Sequence, residues 1–316
     1  MPPSGSTTFF GGIMRERSTG RKRRLLLGQL LALFAVGVLV ALFGTSPASA
    51  TIADKRNDYN SDGISDIAAV DPSSGCLYRW NGNGTGGFGA GTQIGCGWSP
   101  YYASLTAAGD ITGDGRGDLV AVNSSSGCLY RWNGNGTGGF GAGTQIGCGW
   151  SPYSDSLAGA GDLNNDGNGD LVAVNSSSGC LYRWNGNGTG GFGAGTQIGC
   201  GWSPYAGLIT GAGDLNRDGN ADLVAINSSS GCLYRWNGNG TGGFGAGTQV
   251  GCGWNSYALP RNLSGMGDTT GDSVGDLVAP NGSNGCLYRW NGNGSGGFGA
   301  GTQVGCGWLP SYWLAV

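Results

Sequence analysis

Fifteen aspartates of this chain fall in one nonapeptide that occurs five times. Its side-chain oxygens come from Asp58, Asn60, Asp62 and Asp66, then Asp110, Thr112, Asp114 and Asp118, then Asp162, Asn164, Asp166 and Asp170. Asp214, Asn216, Asp218 and Asp222 follow, and last Asp268, Thr270, Asp272 and Asp276. Three carboxylates within nine residues repel one another unless a cation lies between them. Hard oxygens at alternate positions, a glycine at position six and a closing carboxylate are the chemistry of a calcium (Ca2+) loop, with the backbone carbonyl at position seven as a further ligand. An EF-hand needs an acid at position twelve, which here is Ala173 in the third copy. Asp-Gly also makes plain hairpin turns, but a turn does not require acids at positions one, five and nine together. The fifth copy is the weakest, because Ser273 replaces the glycine.

The elements that position these loops repeat with them. The first cysteine of each copy is Cys76, Cys128, Cys180, Cys232 or Cys286, a period of 52 residues three times and 54 once. A fixed period of this order means one supersecondary unit stacked on copies of itself. In the third copy the loop runs into a buried-strand pattern at Leu171–Asn175 and a turn at Ser176–Gly179. Further strands are expected at Cys180–Trp184, Thr196–Trp202 and, in the next joint, Leu208–Gly213. Four antiparallel strands per 52 residues make a propeller blade. Seventy glycines argue the same way, since glycine inside a helix costs about 1 kcal/mol relative to alanine. The expected fold is all-β: a β-propeller of five four-stranded blades over residues 51–316.

Residues 1–50 read as a secretory signal peptide. Arg15, Arg17, Arg21, Lys22, Arg23 and Arg24 precede the apolar run Leu25–Phe43, and Ala48-Ser49-Ala50 supplies the small residues of a cleavage site. The expectation is a secreted, extracellular protein with no stable membrane insertion after cleavage. Left uncleaved, the run is long enough to anchor the chain in a bilayer. Beyond residue 50 there are ten basic residues and eighteen aspartates, no Glu and no His. A net charge of −8 excludes the basic stripe that nucleic acid requires. Without His, neither a Ser-His-Asp nor a Cys-His arrangement can form, and the expectation is a binding protein rather than an enzyme.

The stretch GAGDLNNDGNGDLVA followed by FGAG resembles the FG-GAP or VCBS-type repeat of β-propellers, and the resemblance covers the whole chain beyond the leader. It implies calcium loops at one face of the blades, in a family that includes integrin heads and a calcium-binding mushroom lectin for N-acetylglucosamine-type sugars. The string LYRWNGNGTGGFGAGTQIGCGW also resembles repeats of secreted actinomycete proteins. Asn or Thr at position three departs from the family pattern and lowers the loop charge, toward the roughly 10⁻⁴ to 10⁻³ M affinities of extracellular modules. Five copies are fewer than the usual seven blades, and each copy carries two cysteines.

Those cysteines pair by register. If Cys180 opposes Cys200 across an antiparallel hairpin, Tyr182 meets Ile198 and Trp184 meets Thr196 on one face, while Arg183 meets Gln197 on the other. One disulfide per blade follows: Cys76 with Cys96, Cys128 with Cys148, Cys180 with Cys200, Cys232 with Cys252, and Cys286 with Cys306. Closing about twenty residues stabilises by roughly 3 kcal/mol in the chain-entropy model. Zinc would require the short C-x-x-C spacing or histidine, and both are missing. Aligning the repeats brings the tail back onto the head, so a closed ring is expected with Thr51–Arg56 completing or flanking the last blade. An open arc or an oligomer that shares blades gives the same repeat count.

Each repeat also supplies aromatic residues suited to sugar rings. The expected accessible set is Trp98, Trp150, Trp202, Trp254 and Trp308 with Tyr101, Tyr153 and Tyr205; Tyr182 and Trp184 are expected to pack between blades. Near-identical copies suit a repeated small ligand, so the reading is a multivalent, lectin-like protein whose partners are glycans or cell-surface polysaccharide. The competing reading is an adhesion or wall-associated module with a protein partner.

Overall fold

The described residues form five sheets of four antiparallel strands. The computed structural model describes residues 57–259, 261–308 and 313–314; the leader and Thr51–Arg56 lie outside them. In chain order, β1 is Ile67–Asp71, β2 Cys76–Trp80, β3 Thr92–Cys96, β4 Thr106–Gly109, β5 Asp118–Val122, β6 Cys128–Trp132 and β7 Thr144–Cys148. The third blade holds β8 (Ala158–Gly161), β9 (Asp170–Val174), β10 (Cys180–Trp184) and β11 (Thr196–Cys200). Then come β12 (Ile209–Gly213), β13 (Asp222–Asn227), β14 (Cys232–Trp236), β15 (Thr248–Cys252), β16 (Ser264–Gly267), β17 (Asp276–Pro280), β18 (Cys286–Trp290), β19 (Thr302–Cys306) and β20 (Trp313–Leu314). Sheet order follows chain order within blades two to five, so the joint strand is the innermost strand of the next blade.

The first blade departs from this: its order is β20-β1-β2-β3. The C-terminus closes the ring, with Ala69 opposite Leu314 and Val70 opposite Trp313. Strands β16 to β19 supply the four strands of the last blade, and the expectation that Thr51–Arg56 completes or flanks it falls on residues outside those described. Two further bonds cross the seam. Asn57 Nδ2 donates to the Gly265 carbonyl at 3.3 Å, and Arg289 Nη1 donates to the Thr85 carbonyl at 3.2 Å.

The core lies between blades. Alternate residues of a strand point to opposite faces. In β9, Leu171 and Ala173 therefore pack against blade two, and Val172 and Val174 against blade four. A strand buried on both faces needs the unbroken apolar run LVAV that follows Asp170. Five such clusters join the five pairs of neighbours, the last of them between blades five and one around Ile67, Met266, Val278 and Leu314. Near the axis the inner strands crowd so closely that a Cβ on Gly159 would stand 1.8 Å from the Ala107 carbonyl.

All ten cysteines form the five disulfides expected. The register beyond them differs from the expected one. Leu181 faces Gly199, but a bulge then sets Tyr182 opposite Gln197 and Arg183 opposite Thr196. The extra residue, Ile198, packs toward blade four while Tyr182 packs toward blade two, so the two do not share a face. A bulge of this kind lets one strand re-aim a side chain. The Tyr182 hydroxyl consequently donates to Gln197 Oε1 at 3.0 Å.

Candidate functional site

Two features stand out: the aspartate loop of every blade, and an aromatic cleft at two of the interfaces between neighbours. In the third loop Asp162 folds the chain around its own carboxylate, accepting the Asp166 N–H on Oδ1 at 3.1 Å and the Gly167 N–H on Oδ2 at 2.8 Å. Asn164 Nδ2 donates to Asp166 Oδ2 at 2.9 Å, and Asp166 Oδ1 accepts the Asn168 N–H at 2.9 Å. Left-handed backbone at Asn165 (φ 58°) and Gly167 (φ 89°) makes the turn. In the second and fifth loops Thr112 and Thr270 instead donate their hydroxyls to Asp110 and Asp268 at 3.3 Å.

Position nine is different. Asp66, Asp118, Asp170, Asp222 and Asp276 are all 0% exposed, and each spends both oxygens on backbone N–H groups. Asp170 accepts Leu163 N–H at 3.0 Å and Gly186 N–H at 2.9 Å. Burial pushes these carboxyls up, to about 6 for Asp66 and Asp118 and about 7 for Asp170 and Asp222, with the backbone bonds offsetting part of the rise. Asp276 is raised by burial in the same way. Among the described residues no three acidic side chains converge on a shared metal position. The oxygen donors suit a hard cation, and position nine differs from the other donors in being fully buried with an N–H on each oxygen.

The clefts open between blades. One of about 240 Å³ lies between blades two and three, lined by Gly147, Cys148, Gly149, Trp150 and Tyr153 on one side and Trp184 and Phe192 to Gly195 on the other. Its counterpart of about 320 Å³, between blades four and five, is lined by Trp254, Tyr257, Tyr288, Trp290 and Phe298 with Gly251, Gly253 and the Gly299-Ala300-Gly301 backbone. Neither lining contains a charged side chain. Their walls are indole and phenol rings, and their rims are glycine peptides and a disulfide.

The expected aromatic set is brought here, but not as freely accessible rings. Trp98, Trp150, Trp202, Trp254 and Trp308 are only 8 to 9% exposed, which corrects the expectation of open tryptophans. Each stacks on the strand tryptophan of the next blade at 4.5 to 4.7 Å: Trp98 on Trp132, Trp150 on Trp184, Trp202 on Trp236, Trp254 on Trp290 and Trp308 on Trp80. Tyr101, Tyr153 and Tyr205 are half-buried and meet the next blade's tryptophan edge-on at 4.7 to 4.9 Å. Tyr257 does the same against Trp290 at 4.7 Å. Sequence reasoning missed it because Ser256 stands where its counterparts carry proline, although aligning WNSY with WSPY would have found it.

A ring of five disulfide-bonded blades, each carrying an aspartate loop and packing a tryptophan on that of the next blade, defines a repeat β-propeller. The FG-GAP-like repeat model matches residues 58–121, 110–173, 162–225 and 214–279, and the chain belongs to that family. No curated protein matches its sequence. Among solved structures it is similar to a lectin of Agrocybe aegerita described as recognising non-reducing terminal N-acetylglucosamine, at 20% identity over 82% of this chain and 69% of that one, with a TM-score of 0.46. It is also similar to part of the Photorhabdus luminescens Tc holotoxin pore, at 18% identity and a TM-score of 0.39 over 71% of this chain and 12% of that one. Both scores lie below 0.5, and neither likeness bears on what this chain binds.

Proposed function

We propose that this protein is an exported, multivalent carbohydrate-binding propeller whose sites are the interblade clefts. The observation that carries the reading is the cleft lining: aromatic walls, peptide groups at the rim and no charge, at equivalent interfaces of one ring. Aromatic rings pack the apolar faces of sugars, while N–H and C=O groups of the rim glycines offer donors and acceptors to their hydroxyls. Equivalent sites on one rigid ring convert modest single-site affinity into avidity on a glycan-coated surface. Export accords with five disulfides that leave no free cysteine, since such bonds persist in oxidising compartments. In this reading calcium meets the loops through the donors at positions one, three and five and the carbonyl at position seven.

A glycan array probed with the oxidised chain from Thr51, with calcium and again with chelator, tests the reading. Binding that a free sugar competes away is the expected result. No glycan bound, with pull-down of a wall or receptor protein instead, would overturn it in favour of an adhesion module.

A further inference from the structure

We infer that the five position-nine aspartates are metal-independent braces that register each blade against the next, and not ligands of a loop cation. The inference rests on the reading of these loops as cation sites only for the donors it leaves to the cation.

The same geometry recurs in every repeat. One oxygen accepts the N–H of loop position two: Tyr59, Ile111, Leu163, Leu215 and Thr269 at 3.3, 3.1, 3.0, 3.1 and 3.0 Å. The other accepts the N–H of the glycine that opens the outer hairpin: Gly82, Gly134, Gly186, Gly238 and Gly292 at 2.9 to 3.0 Å. Two N–H donors converging from two stretches of backbone need two acceptors. A carboxylate supplies them and an amide does not, because its nitrogen would face a donor. The glycine is needed for the approach, since a Cβ on Gly186 would lie 2.3 Å from the Gly169 carbonyl.

The braced peptide then reaches across the interface. Position two bonds the carboxylate through its N–H and, through its carbonyl, accepts an N–H of the following blade. Gly138 donates to Tyr59, Gly190 to Ile111, Gly242 to Leu163 and Gly296 to Leu215, at 2.6 to 2.7 Å. Those glycines also seat the arginine of the preceding blade: Arg79 reaches the Thr137 carbonyl at 3.1 Å, Arg183 the Thr241 carbonyl at 3.0 Å and Arg235 the Ser295 carbonyl at 3.2 Å. A fully buried carboxylate thus stands behind the peptide on which the next blade docks.

The test compares the full chain with Asp222→Asn and Asp218→Asn, melted in chelator and in millimolar calcium, with terbium luminescence as the binding probe. Asp222→Asn is expected to lower Tm by about 4 to 10 °C equally in both solutions, whereas Asp218→Asn, whose bonds from Asn216 and Asn220 are exposed, lowers the chelator Tm by less than Asp222→Asn does and removes about a fifth of the terbium signal if all five loops bind. In the unaltered chain, hydrogen exchange at Leu215, Gly238 and Gly296 is expected to be slow in chelator and unchanged by calcium, which keeps the test open if Asp222→Asn does not fold. Slow exchange with no terbium uptake would leave the brace standing and defeat the calcium reading. An Asp222→Asn chain that matches the unaltered one in chelator and loses stability only in calcium would overturn the brace, as would exchange protection that appears only with calcium.

Discussion

Arg289 of the fifth blade donates to the carbonyl of Thr85 in the first at 3.2 Å, across 204 residues of chain. The bond is the same clasp that Arg183 makes to Thr241 within the run of repeats, so the seam of the ring is built like its other interfaces. In each case the guanidinium lies where a Cβ would sit on a glycine of the next blade, within 0.9 Å at Gly86 and 1.0 Å at Gly242. Arg289→Ala should therefore destabilise the ring by about 1.5 to 3 kcal/mol, the scale of a hydrogen bond from a charged group. Arg289→Lys should recover little, because an ammonium cannot lie flat on the glycine peptide as a guanidinium does. Urea unfolding of both variants beside Arg183→Ala measures this. A seam variant that unfolds like the parent would show that β20, the Asn57–Gly265 bond and the apolar cluster between blades five and one hold the ring shut without the clasp.

Much of this architecture is legible in the sequence because the copies are nearly identical. Five cysteine pairs and the strand pattern survive any local error when the same spacing recurs five times. What was not legible depends on single residues that carry no distinctive type. The bulge at Ile198 follows from one extra residue between Gln197 and Gly199, and a constant residue sum from the Cys180–Cys200 pair passes over it. The two-residue strand Trp313–Leu314 is too short to announce that it pairs with β1 and completes the first blade. Position nine of the loop has the spacing of a ligand, and only its burial under Gly186 and Leu163 shows which way it points. Trp202, set between Gly201 and Pro204, reads as an open strand end, yet it stacks 4.5 Å from Trp236.

Ser273 holds a left-handed backbone (φ 64°) at loop position six, where Gly63, Gly115, Gly167 and Gly219 sit at φ 83° to 89°. A non-glycine residue costs about 1 kcal/mol or more in that region. The Ser273 N–H donates to Asp268 Oδ2 at 2.7 Å, a bond that glycine keeps. Ser273→Gly should thus stabilise the fifth loop by about 0.5 to 1 kcal/mol, the gain being offset in part by added freedom of the unfolded chain. Matched denaturation curves decide it, and a loss of stability would mean that the serine hydroxyl makes a contact worth more than the strain.

Binding at the clefts can be counted. Truncating a stacked tryptophan such as Trp150 would cost about 3 to 5 kcal/mol of stability and confuse packing with recognition. Tyr153 and Tyr257 are better probes, since each is half-buried and forms one wall of a cleft. For a sugar selected on the array, isothermal titration of the parent chain gives a number of sites and one affinity. Tyr257→Ala should lower the number by one and leave the affinity of the others unchanged, because neighbouring clefts share no lining residue between these two interfaces. The double variant with Tyr153→Ala should lower it by two, and surface avidity should fall more steeply than the count, as multivalent attachment requires. An unchanged count in the double variant, with the fold intact by circular dichroism, would move the sugar out of the clefts and onto another face of the ring.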